Sequence, residues 1–190
     1  MVRGHSFRVL GGVIALSMFN ACSGNDRLRA VAPNTTEVAG PVASAGDDPG
    51  KIADALTSFA RAPTAGAFAT LRFAPTVRLA LGPTTLRTVE GRQLVDPVAW
   101  RLDADDGYEG FAGPFSVLDT LAGAAAYDVT TGTHPRCAGV PAATPPEVDG
   151  FRQVAIRPRD IEACIQWFAV DLFLDAEGSI AMVRLDRFGP

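Results

Sequence analysis

Cys164-Ile165-Gln166-Trp167-Phe168-Ala169-Val170-Asp171-Leu172-Phe173-Leu174, then Asp175-Ala176-Glu177-Gly178, then Ser179-Ile180-Ala181-Met182-Val183-Arg184-Leu185-Asp186: this stretch decides the fold. It reads as two strands joined by a short turn that carries a glycine. Side chains on a strand alternate between faces. An antiparallel pairing across the turn therefore puts Phe168, Val170, Leu172 and Leu174 on one face with Ala181, Val183 and Leu185. That face has no polar group and is expected to bury. The other face carries Trp167, Asp171, Phe173, Ile180, Met182 and Arg184 and is expected to be partly wet. Asp171 and Arg184 are expected to lie diagonally across it and to pair.

The chain around this hairpin has 190 residues, of which 47% are hydrophobic and 20% charged. That is enough apolar material for one domain with additions. The net charge is −4, and Lys51 is the single lysine. An acidic balance argues against nucleic-acid binding, which needs a basic surface to neutralise phosphates.

The N-terminus has the layout of an export signal. Arg3 and Arg8 precede an uncharged, largely apolar run from Val9 to Phe19, too short to span a bilayer comfortably. The run leads into Phe19-Asn20-Ala21-Cys22-Ser23-Gly24. This segment resembles the lipobox of bacterial exported lipoproteins of actinobacterial type, with Ala21 and Cys22 matching and Phe19 and Asn20 departing from the usual residues. The resemblance implies cleavage after residue 21, lipidation of Cys22 and attachment to the outer face of the cell membrane; ordinary secretion is the alternative. Loss of Arg3 and Arg8 with the signal leaves 15 basic against 21 acidic residues, a net −6. Residues 22–50 follow as a linker rich in Pro, Gly, Ala and Asp, without sustained periodicity.

The folded domain is expected over 51–190. Ile52, Ala55, Leu56 and Phe59 fall at helical spacing and predict a long helix over Lys51–Ala62, started by Asp48 or Pro49. Val77–Leu81 alternates as a strand, with Thr84–Glu90 as its hairpin partner. Short strands are expected at Val98–Leu102 and Tyr127–Thr130, and a further one at Phe151–Ile156. Phe115, Leu118 and Leu121 predict a short helix with Pro114 in its first turn. Thr131 to Gly150, with four prolines, reads as a long loop of the kind that is functional or stapled. The expected architecture is α+β: an antiparallel sheet of about five or six strands, with one long N-terminal helix and one short helix packed on it.

The residues capable of chemistry are few. His134 is the single histidine beyond the signal, and it lies in the Pro-rich loop, where a surface or loop-packing role is expected. A hydrolase reading pairs it with a carboxylate such as Asp119 or Asp128 and a serine among Ser58, Ser116 and Ser179, none of which sits in a Gly-x-Ser-x-Gly elbow. Asp171 and Glu109 are the carboxylates to test for glycoside chemistry. Asp103, Asp105 and Gly107 do not match a calcium loop, because the glycine comes one position early and Pro114 stands where the bidentate acid belongs. One histidine and two distant cysteines do not make a zinc site, and no phosphate loop or dinucleotide fingerprint is present. Trp100, Tyr108, Phe111 and Phe115 surround the acidic turn, either as core or as a partner surface.

With Cys22 lipidated, Cys137 and Cys164 remain. In an oxidising compartment they are expected to pair and to pin the long loop to the base of the hairpin. No catalytic, metal or cofactor residue is assigned. The functional expectation is a lipid-anchored envelope protein with a non-catalytic domain that binds an unknown small ligand or an envelope protein. The alternatives are a small secreted hydrolase using His134 and a carrier of lipid or another small molecule.

Overall fold

The computed structural model describes residues 48–104, 106–142 and 144–188. The signal over 1–21, Cys22 and nearly all of the linker lie outside the described residues.

Helix α1, Pro49–Arg61, begins where the Asp48 carboxylate accepts the amide of Gly50 at 2.9 Å and Pro49 takes the first turn. Its apolar stripe buries Ala53, Leu56, Phe59 and Ala60. A one-turn helix, α2 (Ala65–Phe68), follows under a Thr64 cap. Strands β1 (Phe73–Leu81) and β2 (Thr84–Glu90) form a hairpin turned at Gly82-Pro83. Gly82 has φ of 53°, and a Cβ there would overlap the Tyr108 ring and hydroxyl, so any other residue would strain the turn and have to displace Tyr108. The chain then passes through two 3-10 segments to β3 (Arg101–Leu102), which pairs with β4 (Phe115–Ser116). Helix α3 (Val117–Ala122) leads to β5 (Tyr127–Thr131), and β6 (Arg152–Pro158), β7 (Phe168–Leu174) and β8 (Ile180–Arg187) complete the fold.

The main sheet has six strands in the order β2-β1-β8-β7-β6-β5. Four of its junctions are antiparallel, but β1 and β8 run parallel. The sheet is mixed, which corrects the antiparallel expectation. Hairpins give antiparallel neighbours, whereas β1 meets the last strand only because the chain crosses from one sheet edge to the other through α3. On one face lie α1 and α3, and Leu56, Phe59, Leu121, Leu79, Leu172 and Val183 belong to a single core cluster there.

Several local expectations shift. Asp171 and Arg184 are directly opposite in the β7–β8 register, not diagonal. A bulge between Phe173 and Leu174 sets Leu174 against Ile180, so Ile180 joins the core and Ala181 is the extra residue. The tight turn accounts for it: the Asp175 carboxylate accepts the amides of Glu177 and Ser179. The short helix starts at Val117, because Ser116 is its cap and Phe115 is paired with Leu102 as a strand. Pro97–Trp100 is a 3-10 segment capped by Asp96, so the strand expected from Val98 is only Arg101–Leu102. Cys164–Gln166 is likewise a 3-10 turn, and β7 starts at Phe168.

The largest departure concerns the mixed face, which is not wet. All seven residues of β7 are buried, as are the first seven of β8. The loop after β5 lies against this face, with His134 and Arg136 inserted into it. Cys137 and Cys164 close the loop, with sulfurs 2.02 Å apart and Cα atoms 5.5 Å apart.

Candidate functional site

The residues of greatest chemical interest lie under that loop, on neighbouring strands. Asp171 projects from β7, Arg184 and Asp186 from β8, and Gln153 from β6, all buried. Alternation puts them on the face away from the helices, because their neighbours Val170, Leu172 and Leu185 point into the core. The loop supplies the remaining partners.

Asp171 is wholly buried and saturated. Its Oδ1 accepts from His134 Nε2 at 2.8 Å and from Gln153 Nε2 at 2.9 Å. Its Oδ2 accepts from Arg184 Nε at 2.8 Å and Nη2 at 2.6 Å. Burial alone would push this carboxyl up. The hydrogen bond from His134 and the charge of Arg184 outweigh burial and hold it below the usual carboxylate range. Asp171 is therefore ionised and accepts only, which assigns the proton of the shared bond to His134 Nε2. The imidazole packs beside Trp167, ring centroids 6.1 Å apart, and its Nδ1 lies 3.3 Å from the Pro135 carbonyl oxygen.

A second cluster adjoins the first. Arg136 grips Asp186 with two bonds, Nε to Oδ2 at 2.9 Å and Nη2 to Oδ1 at 2.6 Å. Its Nη1 donates to Glu109 Oε1 at 2.9 Å, and Nη2 also contacts the Tyr108 hydroxyl. Tyr108 in turn donates to Asp186 Oδ1 at 2.9 Å. The bond to Asp186 raises the Arg136 guanidinium above its ordinary value, and burial together with the Asp186 charge raises the Tyr108 phenol. Arg136 stays a cation and Tyr108 stays neutral throughout the working range of pH.

This geometry separates the sequence-predicted residues. His134 is not at the surface; it is 6% exposed and its partner is Asp171, not Asp119 or Asp128. Asp119 is exposed on α3, and Asp128 pairs with Arg159 at 2.7 Å. Ser58 is exposed on α1, Ser116 caps α3, and Ser179 sits in the β7–β8 turn. None of the three is hydrogen-bonded to His134. Glu109 and Asp171 are each committed to basic partners. No family model, no curated protein and no solved structure matches the chain. The assembly is a histidine and two arginines closed on three carboxylates, Asp171, Asp186 and Glu109, and among the described residues no nucleophile is hydrogen-bonded to the histidine.

The aromatic residues disperse. Trp100 is fully buried with Nε1 bonded to the Leu94 carbonyl at 2.8 Å, and Phe115 belongs to the core. Tyr108 serves the Asp186 cluster, while Phe111 lies under the Arg187 guanidinium at 4.2 Å. Arg136, Gln153 and Asp186 escaped the sequence reading. The strand alternation that placed Asp171 and Arg184 on one face also places Asp186 there; nothing local marks Arg136, whose partners lie 27, 28 and 50 residues away.

Two surface depressions have distinct linings. A groove of about 620 Å³ runs along Phe68, Leu71, Phe73 and Pro75, with Glu90 and Arg92 at its side. A cleft of about 430 Å³ lies where α3 meets the end of β8, walled by Arg101, Pro114, Ser116, Asp119, Thr120 and Arg187.

Proposed function

We propose that this chain is an exported, lipid-anchored envelope protein whose folded part is a non-catalytic binding module. The observation that carries the non-catalytic half is the commitment of His134. The one histidine beyond the signal donates to a saturated carboxylate under a closed loop and has no hydrogen bond to any of the candidate serines. A general base needs hydrogen-bond reach to the proton it removes, so the hydrolase reading has little support. The Cys137–Cys164 bond supports export, because such bonds persist in oxidising compartments.

The anchor rests on the Ala21-Cys22 motif. Two or three acyl chains on Cys22 would hold the protein at the membrane, since each buried methylene contributes about 0.8 kcal/mol and a single chain is marginal. No described helix is long and apolar enough to cross a membrane. The test is expression of the wild type and Cys22→Ser in a native-like host, followed by fractionation. The wild type is expected with the membranes and the variant in the medium. Both proteins wholly in the medium would defeat the anchor.

A further inference from the structure

Arg187 stands apart from the other arginines of β8 and the loop. Arg184 and Arg136 are each closed on an aspartate. Arg187 has neither a hydrogen bond nor an ion pair among the described residues, and its Nε is shut off from solvent without a partner. It alternates with Leu185 and Val183, so it belongs to the helix-covered face, at the open end of the core. The face of its guanidinium rests on the Phe111 ring at 4.2 Å. Burial lowers its pKa, but an arginine remains a cation. A half-buried charge with no counter-ion costs free energy, and the fold keeps it.

The surroundings indicate what would compensate it. Arg187 lines the 430 Å³ cleft and also the adjoining cleft of about 460 Å³, with Asp119 and Thr120 common to both. Arg101 enters the first cleft from β3. Its register partner is Ser116, so the arginine and the serine stand side by side on one face of the β3–β4 ladder. The charges bordering the paired clefts are Arg101, Arg187, Arg159, Asp119 and Asp160. Arg159 is already paired with Asp128, and Asp119 makes no ion pair with either cleft arginine. In the 430 Å³ cleft two guanidinium groups without an ion pair among the described residues face one carboxylate, Asp119, while Asp160 borders only the adjoining cleft. Guanidinium presents forked donors that match planar or tetrahedral oxyanions.

We infer that the cleft between α3 and the end of β8 is a binding site for a small oxyanion-bearing molecule, a carboxylate or a phosphate, held by Arg187 and Arg101. This deepens the binding-module reading by naming a ligand class, and it is independent of the lipid anchor. The apolar wall at Pro114 and Phe115 leaves room for a short carbon body beside the anionic group.

The test is a titration of the full chain, disulfide formed, with sodium phosphate and separately with sodium acetate. Chloride is adjusted to hold ionic strength constant, and two-dimensional amide NMR is the readout. The amides of Arg101, Ser116, Thr120 and Arg187 are expected to shift saturably with at least one of the two anions. Saturation by phosphate alone assigns a phosphate group, and saturation by acetate alone assigns a carboxylate. Arg187→Met is expected to weaken binding at least about tenfold, as loss of a charged hydrogen-bond partner does. Arg101→Gln serves the same purpose should Arg187→Met not fold. Asp119→Asn removes the opposing charge and is expected to tighten binding by about threefold, the scale of an exposed charge contact. No saturation with either anion overturns the site, as does the same curve in wild type and both arginine variants. Neither result touches the membrane fractionation that tests Cys22.

Discussion

Asp171 is the residue on which most of the buried polar structure converges. It receives four hydrogen bonds from three side chains, and two of its partners are bases. Removing it leaves Arg184 as a buried cation and strands His134 and Gln153. Breaking a buried pair on one side costs about 3–5 kcal/mol, whereas replacing both partners by apolar groups is often near neutral. Asp171→Ala is therefore expected to lower stability by that amount in urea unfolding. Asp171→Leu combined with Arg184→Met is expected to recover much of it; a double variant as unstable as the single one would mean the pair is not the source. The pH dependence has a definite sign. The folded-state pKa of Asp171 is depressed, so its contribution is present above the unfolded value of about 4 and is lost as pH falls through the folded value. Wild type should lose stability below about pH 4, and Asp171→Asn should lack that part of the loss.

At the scale of elements, the β7–β8 hairpin and the loop above it hold each other. Leu172 sits opposite Val183 with no exposure on the core face. Leu172→Ala is expected to cost about 2–5 kcal/mol, the range for a buried leucine with a cavity left behind; an effect below about 1 kcal/mol would show the position to be loosely packed. The loop is tied by side chains from His134 and Arg136 and by the Cys137–Cys164 bond, which spans 27 residues. The chain-entropy model gives about 3.5 kcal/mol for a bond closing such a loop. Reduction should lower the urea midpoint accordingly. It should also speed tryptic cleavage after Arg136, which is buried in the closed loop. Equal cleavage rates before and after reduction would mean that the polar contacts alone keep the loop down.

Across the whole molecule, one core cluster joins α1, α3, the β1–β2 side and the β5–β6 side of the sheet. The described domain has no second core on which part of the sheet could stand alone. Thermal unfolding should therefore give coincident far- and near-ultraviolet circular dichroism transitions. Transitions separated by more than a few degrees would show that the sheet halves melt independently. Folding should be slow for this size, in milliseconds to seconds, because the parallel β1–β8 pairing joins residues about a hundred positions apart, such as Leu79 and Val183.

The sequence alone determined whatever depends on neighbours along the chain. Period-two alternation gave the faces of Val170, Leu172 and Leu185, and helical spacing with Asp48 and Pro49 marked α1. The α+β class followed from those elements. Cysteine arithmetic, together with the lipobox resemblance, paired Cys137 with Cys164. Only the tertiary structure decided what depends on distant partners. A hairpin's register is local, but the bulge that turns Ile180 inward answers to the turn at Asp175. The parallel junction of β1 with β8 needs the route of the chain through α3, which no periodicity records. The fate of the mixed face was equally hidden. Asp171 and Arg184 on one face of a hairpin read as a partly wet surface until a loop with no repeating pattern brings His134 onto Asp171 and Arg136 onto the neighbouring Asp186 from above. The same holds for Arg187, whose isolation is visible only when every neighbour is in place: pattern reports which way a side chain points, and charge compensation depends on what arrives there from elsewhere in the chain.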